Sequence, residues 1–247
     1  MWGGSATYFG DLNTNTSFKL MKPASGVFYR YNFNSRLSIK TTVSAANIAG
    51  DDKYSDNVFQ RQRNLSFNSR LFEAGVQGEF NFKDFKNEKP RFNFSPYLLG
   101  GFSVFSFDPT TMYLGNKYRL QPLGTEGQGL PEYGDKAPYK LVSRAWVIGG
   151  GFKYRVSRNL SLWVEAANRH THTDYLDDVS GQYANRLVLQ NESGPLTTAL
   201  ADRSIEVTGA PVGGQNKMRG DTVKRDDYLF MSFGITFTIN RYHCPFH

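Results

Sequence analysis

Residues Tyr228 to Ile239 alternate without a break. Leu229, Met231, Phe233, Ile235, Phe237 and Ile239 form one face, and Tyr228, Phe230, Ser232, Gly234, Thr236 and Thr238 form the other. Successive side chains of an extended strand point to opposite sides, so this segment lies between two different solvents. One takes only hydrocarbon; the other takes hydroxyls, glycine and aromatic rings. A chain in which this pattern recurs is confined to sheets with one oily and one polar face.

The pattern does recur, and eight strands are expected. The first is near Trp2–Asp11. Gly26–Phe33 places Val27, Tyr29, Tyr31 and Phe33 on one face, and Arg36–Ile48 places Leu37, Ile39, Thr41, Val43 and Ala45 there. Leu65–Phe82 follows with Phe72, Ala74, Val76, Gly78, Phe80 and Phe82, and Arg91–Phe107 with Phe92, Phe94, Leu98, Gly100, Phe102 and Val104. Tyr139–Val156 carries Trp146, Ile148, Gly150, Phe152 and Tyr154, and Asn159–Arg169 carries Leu160, Leu162, Val164 and Ala166. The eighth is the stretch at Tyr228. No window of helical period competes with any of these.

Connection lengths alternate strictly. Long ones (Leu12–Ser25, Ala49–Asn64, Asp108–Pro138, His170–Asp227) follow the odd strands, and short ones (Asn34–Ser35, Lys83–Pro90, Ser157–Arg158) follow the even strands. Outer-membrane meanders have short periplasmic turns and long extracellular loops, whereas such long loops are unusual in a compact soluble domain. The expected fold is therefore all-β: an antiparallel up-and-down transmembrane β-barrel of eight strands. It forms one domain over residues 1–247, with both termini and a short tail at about 241–247 on the periplasmic side. An extra hairpin from Tyr183–Gln190 and Ser204–Thr208 inside the last loop stays open at this point.

Composition agrees. Aromatic residues make up 15% of the chain, with 24 glycines. The mean hydropathy of −0.49 reads as that of a soluble chain, and no run approaches the roughly 18 apolar residues of a membrane helix, but a barrel gives the same weak signal when only alternate residues meet lipid. The net charge of +7 is scattered rather than clustered and accompanies no nucleic-acid motif. Its milder implication is affinity for anionic lipid or an acidic partner. Cys244 is the sole cysteine, so no intramolecular disulfide forms, and a bridge to a partner is the alternative to an inert thiol. Met1 leads directly into a strand with no signal peptide, so the sequence leaves two alternatives: an export signal that lay upstream, on which outer-membrane localisation depends, or a cytosolic protein.

The polar faces carry charges of both signs. Arg30, Lys40, Glu73, Glu79, Lys153, Arg155 and Glu165 all lie opposite the apolar face, and buried charges need partners, so lumenal ion pairs are expected. Eight strands enclose a bore that side chains just fill, which argues against a diffusion pore.

The remaining motifs are weak. Gly124-Thr-Glu-Gly-Gln-Gly129 lacks the Gly-Lys-Ser/Thr of a phosphate loop and reads as tight turns. His170 and His172, with Asp174, Asp177 and Asp178, allow a metal on paper but give no tetrahedral set. Glu165 with either histidine and a loop serine would mimic a hydrolase triad, but no Gly-x-Ser-x-Gly is present. Arg219-Gly220-Asp221 reads as a turn before the last strand, and Asn64-Leu-Ser66 carries no weight as a glycosylation signal. No catalytic residue, cofactor or metal ligand is assigned.

The candidate partner-binding surface is periplasmic. It comprises Asn34 and Ser35 of the first short turn and Lys83, Asp84, Lys86, Glu88 and Lys89 of the strongly charged second. Ser157 and Arg158 of the third join them, with Arg241, His243 and Cys244 of the tail.

Several stretches together resemble a known family. They are Ser5-Ala-Thr-Tyr-Phe-Gly-Asp-Leu-Asn13, Tyr29-Arg-Tyr-Asn-Phe-Asn-Ser-Arg-Leu-Ser-Ile39, Ile48-Ala-Gly-Asp-Asp52 and Arg63-Asn-Leu-Ser-Phe-Asn-Ser-Arg-Leu-Phe-Glu73. Glu79-Phe-Asn-Phe82 follows, then the loop signatures Leu120–Gly129 and Thr173–Ser180, with Leu200–Ser204 and Arg219–Asp221 continuing the match. The whole is similar to the PorG-like outer-membrane proteins of the type IX secretion system in Bacteroidota. The resemblance is weakest across Tyr183–Pro195 and the tail. It implies a barrel without enzymatic activity that tethers the periplasmic ring of the PorK lipoprotein and PorN to the outer membrane, for secretion and for gliding motility. The alternatives are a barrel that binds or transports a small ligand, and an outer-membrane hydrolase.

Overall fold

The structure, a computed structural model, describes residues 1–85, 93–134, 136–157 and 159–239. Its strands in chain order are β1 (Trp2–Phe9), β2 (Lys22–Asn32), β3 (Leu37–Asp51), β4 (Ser66–Asn81) and β5 (Phe94–Ser106). Then come β6 (Pro109–Tyr113), β7 (Asn116–Arg119), β8 (Val142–Arg155), β9 (Leu160–Thr171) and β10 (Asp227–Phe237). The sheet runs β3-β2-β1-β10-β9-β8-β5-β4, and antiparallel pairing of β3 with β4, from Leu37↔Phe80 to Asp51↔Ser66, closes it on itself. Eight strands thus make a closed antiparallel transmembrane barrel with no free edge around its circumference.

The alternation read from sequence decides which face points where. Val27, Tyr29, Tyr31, Val43, Phe72, Val76, Leu98, Trp146, Ile148, Val164, Phe233 and Ile235 are all exposed on the outside, while Lys40, Glu73, Gln77, Glu79 and Lys153 are buried inside. A water-soluble protein rarely exposes more than a few hundred Å² of contiguous apolar surface. Here apolar side chains cover the outward positions of β2, β3, β4, β5, β8, β9 and β10, leaving only the small Gly3, Ser5 and Thr7 of β1 between them, so the solvent outside is hydrocarbon. Edge-to-face pairs Tyr31–Phe33 (5.1 Å) and Phe80–Phe82 (5.4 Å) form part of an aromatic girdle near the short-turn end.

Short turns are made locally. Asn34 Oδ1 accepts from the backbone N–H of Arg36 and of Leu37, both at 2.8 Å, and so fixes the first turn. In the third, the N–H groups of Val156 and Ser157 both donate to Leu160 O, at 3.0 and 3.1 Å.

Two expectations need correction, and one open question closes. β2 starts four residues earlier than the Gly26 boundary, because Lys22–Ser25 pairs with β1 despite Pro23, whose partner is Ser5. The third long loop contains a hairpin of its own: β6 pairs with an extension of β4 (Ser69↔Pro109) and with β7 across a Leu114-Gly115 turn. The open question over residues 183–208 resolves as helix. Arg186–Val188, Leu189–Ser193, Gly194–Ala201 and Ile205–Thr208 are helical, and Pro195 sits in the first turn of the third segment, where its missing N–H costs nothing.

Candidate functional site

The lumen is filled. Glu79 sits among three cations: Arg30 Nε at 2.8 Å, Lys40 Nζ at 3.4 Å and Lys153 Nζ at 2.5 Å. Lys40 also meets Glu165 at 2.6 Å, and Tyr97 donates its hydroxyl to the same carboxylate at 2.8 Å. Glu73 takes Arg169 at 3.2 Å and the Tyr228 hydroxyl at 2.6 Å. Every side chain in these ion pairs is almost wholly buried. Toward the long loops an apolar layer of Ile48, Phe67, Leu71, Phe105 and Phe230 continues the packing. A cavity of about 10 Å³ beside Lys40, Gln77, Trp163 and Glu165 remains, on the scale of a single water.

Two lumenal findings depart from the sequence reading. Among the described residues Arg155 makes no ion pair. Its guanidinium lies over the Phe85 ring, 4.6 Å from the centroid, and none of its three side-chain nitrogens has a hydrogen-bond partner among those residues. Arg169, which the sequence reading passed over, is the partner of Glu73. It falls on the polar parity of β9, four residues beyond Glu165, and could have been found by extending that alternation.

The long loops do not stand open. They fold over the mouth as a cap in which the loop signatures converge. Arg219 Nη1 reaches Glu126 at 3.2 Å and the Asp178 carbonyl at 2.5 Å. Glu126 also accepts from the N–H groups of Ser180 (3.0 Å) and Gly181 (3.2 Å) and from Lys136 (3.0 Å). Burial raises the Glu126 carboxyl, but the Arg219 and Lys136 charges outweigh it and hold the group below its usual range. Thr125 and Tyr139 donate to Asp178, both at 2.6 Å. Arg63 pairs with Asp52 at 2.7 Å and donates to the Arg219 carbonyl, tying the second long loop to the fourth.

Beneath this layer is a knot of acids. The Tyr8 hydroxyl lies 2.5 Å from Asp177 Oδ2 and 2.8 Å from Asp226 Oδ1. One hydroxyl proton cannot serve two ionised carboxylates, so the cluster holds an extra proton. Burial pushes Asp177 and Asp226 well above the ordinary carboxylate range, and the Asp11 charge adds to it at Asp177 and the Asp177 charge at Asp226. Burial likewise raises Asp11 and Asp174 to about 7 and Asp178 to about 6.

This geometry disposes of the motif readings. Arg219 is buried, so Arg219-Gly220-Asp221 is not presented at the surface. At Gly220 a Cβ would collide with the Asp11 carboxylate, so glycine is required there. The Gly124–Gly129 loop is made of tight turns: Gly124, Gly127 and Gly129 all have φ between 61° and 82°. His170 Nδ1 pairs with Asp227 at 2.7 Å on the outer face. Among the described residues no group of three or more ligands suits a metal ion.

At the other end the candidate surface is partly assembled. Ser35 donates to Asp84 Oδ1 at 3.0 Å, Arg36 Nε meets the same oxygen at 3.2 Å, and Phe85 N–H donates to Ser35 O at 3.3 Å. The first two short turns therefore form one surface, on which Arg36 and Asp84 are both more than half exposed. Asn34 contributes mainly by fixing its own turn. Lys83 places its ammonium 3.7 Å from the Phe94 ring centroid, and its backbone N–H donates to Ser95 Oγ at 3.1 Å. Ser157 is exposed on the third turn, which joins the second through Arg155 N–H to Asn93 O at 2.7 Å. Lys86, Glu88, Lys89, Arg158, Arg241, His243 and Cys244 lie outside the described residues.

Residues 1–127, just over half of the chain, match the model of a family described as a domain of unknown function, DUF6089. No curated protein matches the chain. Among solved structures it is similar to neisserial surface protein A, NspA, at 11% identity over 96% of this chain and 94% of that one, with a TM-score of 0.46. It is also similar to Ail of Yersinia pestis, solved with the heparin analogue sucrose octasulfate, at 9% identity over 96% and 92%, TM-score 0.40. A third likeness is to the N-terminal β-barrel domain of Pseudomonas aeruginosa OprF, at 10% identity over 96% and 94%, TM-score 0.35.

Proposed function

This chain belongs to the DUF6089 family, and on that premise we propose that it is a non-enzymatic outer-membrane anchor of the type IX secretion machinery. Its short turns face the periplasm and hold a ring of PorK/PorN type, and its long loops face outward. The observation that carries the reading is that the bore is closed twice over. A charged, hydrogen-bonded core fills the lumen, and a buried loop cap seals the mouth. A barrel sealed in this way suits a platform better than a conduit, and a platform acts through its surfaces. The joined first and second turns offer a charged, rigid surface at the short-turn end, and an exposed charged rim favours a partner that is steered electrostatically. The resemblance to the PorG-like proteins supplies the identity of that partner.

Co-purification from cells tests this. Asp84→Lys reverses the charge that joins the two turns while leaving the lumen untouched. The ring subunits are expected to co-purify with the wild-type barrel and to be lost or strongly depleted with the variant. Full retention in Asp84→Lys and in a charge-reversed Lys83–Lys89 segment would remove the short-turn end from the interface.

A further inference from the structure

Outward positions on the barrel strands are almost free of cations. Among the described residues, the outward faces of β1, β2, β3, β5, β9 and β10 carry no lysine or arginine; Arg70 on β4 and Arg144 on β8 are the two that occur. Both are exposed, and both sit at the long-loop end, one outward position beyond an aromatic: Arg70 beyond Phe72, and Arg144 beyond Trp146. Among the described residues neither has a carboxylate partner.

The register brings them together. Arg144 opposes Val104, which opposes Ala74, and that row continues to Val43 and Val27 in the middle of β2. The row therefore climbs toward the long loops as it passes from β2 to β8. Arg70 lies four residues above Ala74 on β4. With about 3.4 Å per residue and 4.8 Å per strand, the two arginines are about 17 Å apart along the surface. With strands tilted by about 40°, they stand within about 4 Å of the same height.

Between and above them lie Lys140, exposed and likewise without a carboxylate partner among the described residues, and Arg119, which meets Asp108 at 3.0 Å. Arg70, Arg119, Lys140 and Arg144 thus share a single sector of the rim with Asp108, and the Arg203–Glu206 pair reaches its edge at Ser66 and Thr111. Below it the outward face is apolar, with Phe72, Val104 and the edge-to-face pair Phe102–Trp146 at 5.7 Å. On the next strands round, the rim has a different character: His170 is paired with Asp227 at 2.7 Å.

We infer that this sector of β4, β5 and β8 binds a phosphate-bearing lipid of the outer leaflet. Its phosphates sit on Arg70, Lys140 and Arg144, and its acyl chains lie against Phe72, Phe102, Val104 and Trp146. The charge supplies the first contact and the apolar face directly below supplies the second. A soluble anion would use only the first, and an apolar chain only the second. Arginine at the hydrocarbon boundary is costly unless its head reaches a polar layer, and phosphate matches its planar fork of donors. The inference rests on the outward orientation proposed above but not on the ring, since it concerns the isolated barrel.

The test is a titration of the purified full chain in detergent with diphosphoryl lipid A, with dephosphorylated lipid A and with inorganic phosphate, counting bound lipid by native mass spectrometry. Wild type is expected to retain the diphosphoryl lipid preferentially. Arg70→Gln/Lys140→Gln/Arg144→Gln is expected to bind it about 100-fold more weakly, from the usual contribution of one cation near an anionic surface taken three times. Lys19→Gln/Lys217→Gln/Lys224→Gln removes as many exposed loop cations away from the sector and should bind as wild type. Heat-dependent gel migration reports whether each barrel is folded. If the triple variant does not fold, Arg144→Gln alone should weaken binding about 5-fold and Arg144→Lys should restore most of it. Equal affinity in wild type and the Gln variants overturns the inference, as does equal retention of the dephosphorylated lipid. Displacement by equimolar inorganic phosphate would show a site for free anions instead. Loss of ring co-purification, or its retention, leaves this result unaffected.

Discussion

Replacing Glu79 by Gln removes the charge at the centre of the lumenal network without changing its shape much. Three cations converge on this carboxylate, at 2.5, 2.8 and 3.4 Å, and all four side chains are no more than 7% exposed. Lys40 keeps Glu165 at 2.6 Å, so it retains an anion. Arg30 is left with the Thr236 hydroxyl at 3.3 Å, and Lys153 with the Asn81 amide oxygen at 2.9 Å. Two buried cations therefore lose their counter-ion. Breaking a buried pair from one side costs about 3–5 kcal/mol, and two stranded cations place the loss at the top of that range. The contrast is the exposed Arg36–Asp84 pair, where Asp84→Ala should cost no more than about 1 kcal/mol. Urea unfolding of the barrel in lipid vesicles, followed by tryptophan fluorescence, reads both. Adding Lys153→Met to Glu79→Gln should recover part of the loss, because a neutral pair leaves only one cation stranded. A Glu79→Gln loss below about 1 kcal/mol, or a further loss with Lys153→Met, would refute the claim that ion pairing organises the lumen.

Other outcomes follow from the same geometry. Asp11 and Asp174, at about 7, and Asp178, at about 6, are raised by burial above their unfolded values, so folding favours their protonated forms. Their contribution to cap stability is complete below about pH 4 and is lost as pH rises through 6 to 7. Protection of the amides over Thr173–Gly181, taken relative to their intrinsic exchange rate at each pH, should therefore fall between pH 5 and 8, and constant protection would contradict the assignment. Arg219→Ala leaves Glu126 with Lys136 at 3.0 Å but removes its other cation and the bond to the Asp178 carbonyl, and should loosen the cap by about 2 kcal/mol, read as protease cleavage in the loops while the barrel strands stay protected. Gly234→Arg should fail to insert or fold, since even a Cβ there stands 2.5 Å from the Trp163 ring and 2.8 Å from the Met1 carbonyl. The purified wild-type barrel should show no steady conductance in a planar bilayer. Discrete channels from the intact chain would favour the transport reading.

The barrel was legible because its signal is local. Each strand carries its own alternation, as Leu229–Phe237 does, and the parity of the connections orders the strands without any knowledge of distant contacts. The cap was not legible, because its chemistry is non-local. Arg219, Glu126 and Asp178 belong to three separate stretches and acquire meaning only when folded together. Arg219-Gly-Asp reads only as a turn before the last strand, and nothing local shows that Arg219 is buried in the cap. The β6–β7 hairpin escaped notice because β6 is five residues and β7 four, too short for periodicity to register, and because Pro109 opens it. At the short-turn end, sequence placed Ser35 and Asp84 on separate turns. Only the closure of β3 onto β4 explains why they touch.

Site-specific photo-crosslinking in living cells tests the anchor account most directly. A photoreactive residue is placed at the half-buried Ser35 or the exposed Asp84 or Ser157 on the short turns, and at the exposed Leu114 or Val223 on the long loops. The account predicts adducts with the periplasmic ring subunits from the short-turn positions and none from the two loop positions. Ring adducts from Leu114 or Val223, with none from the short turns, would contradict it.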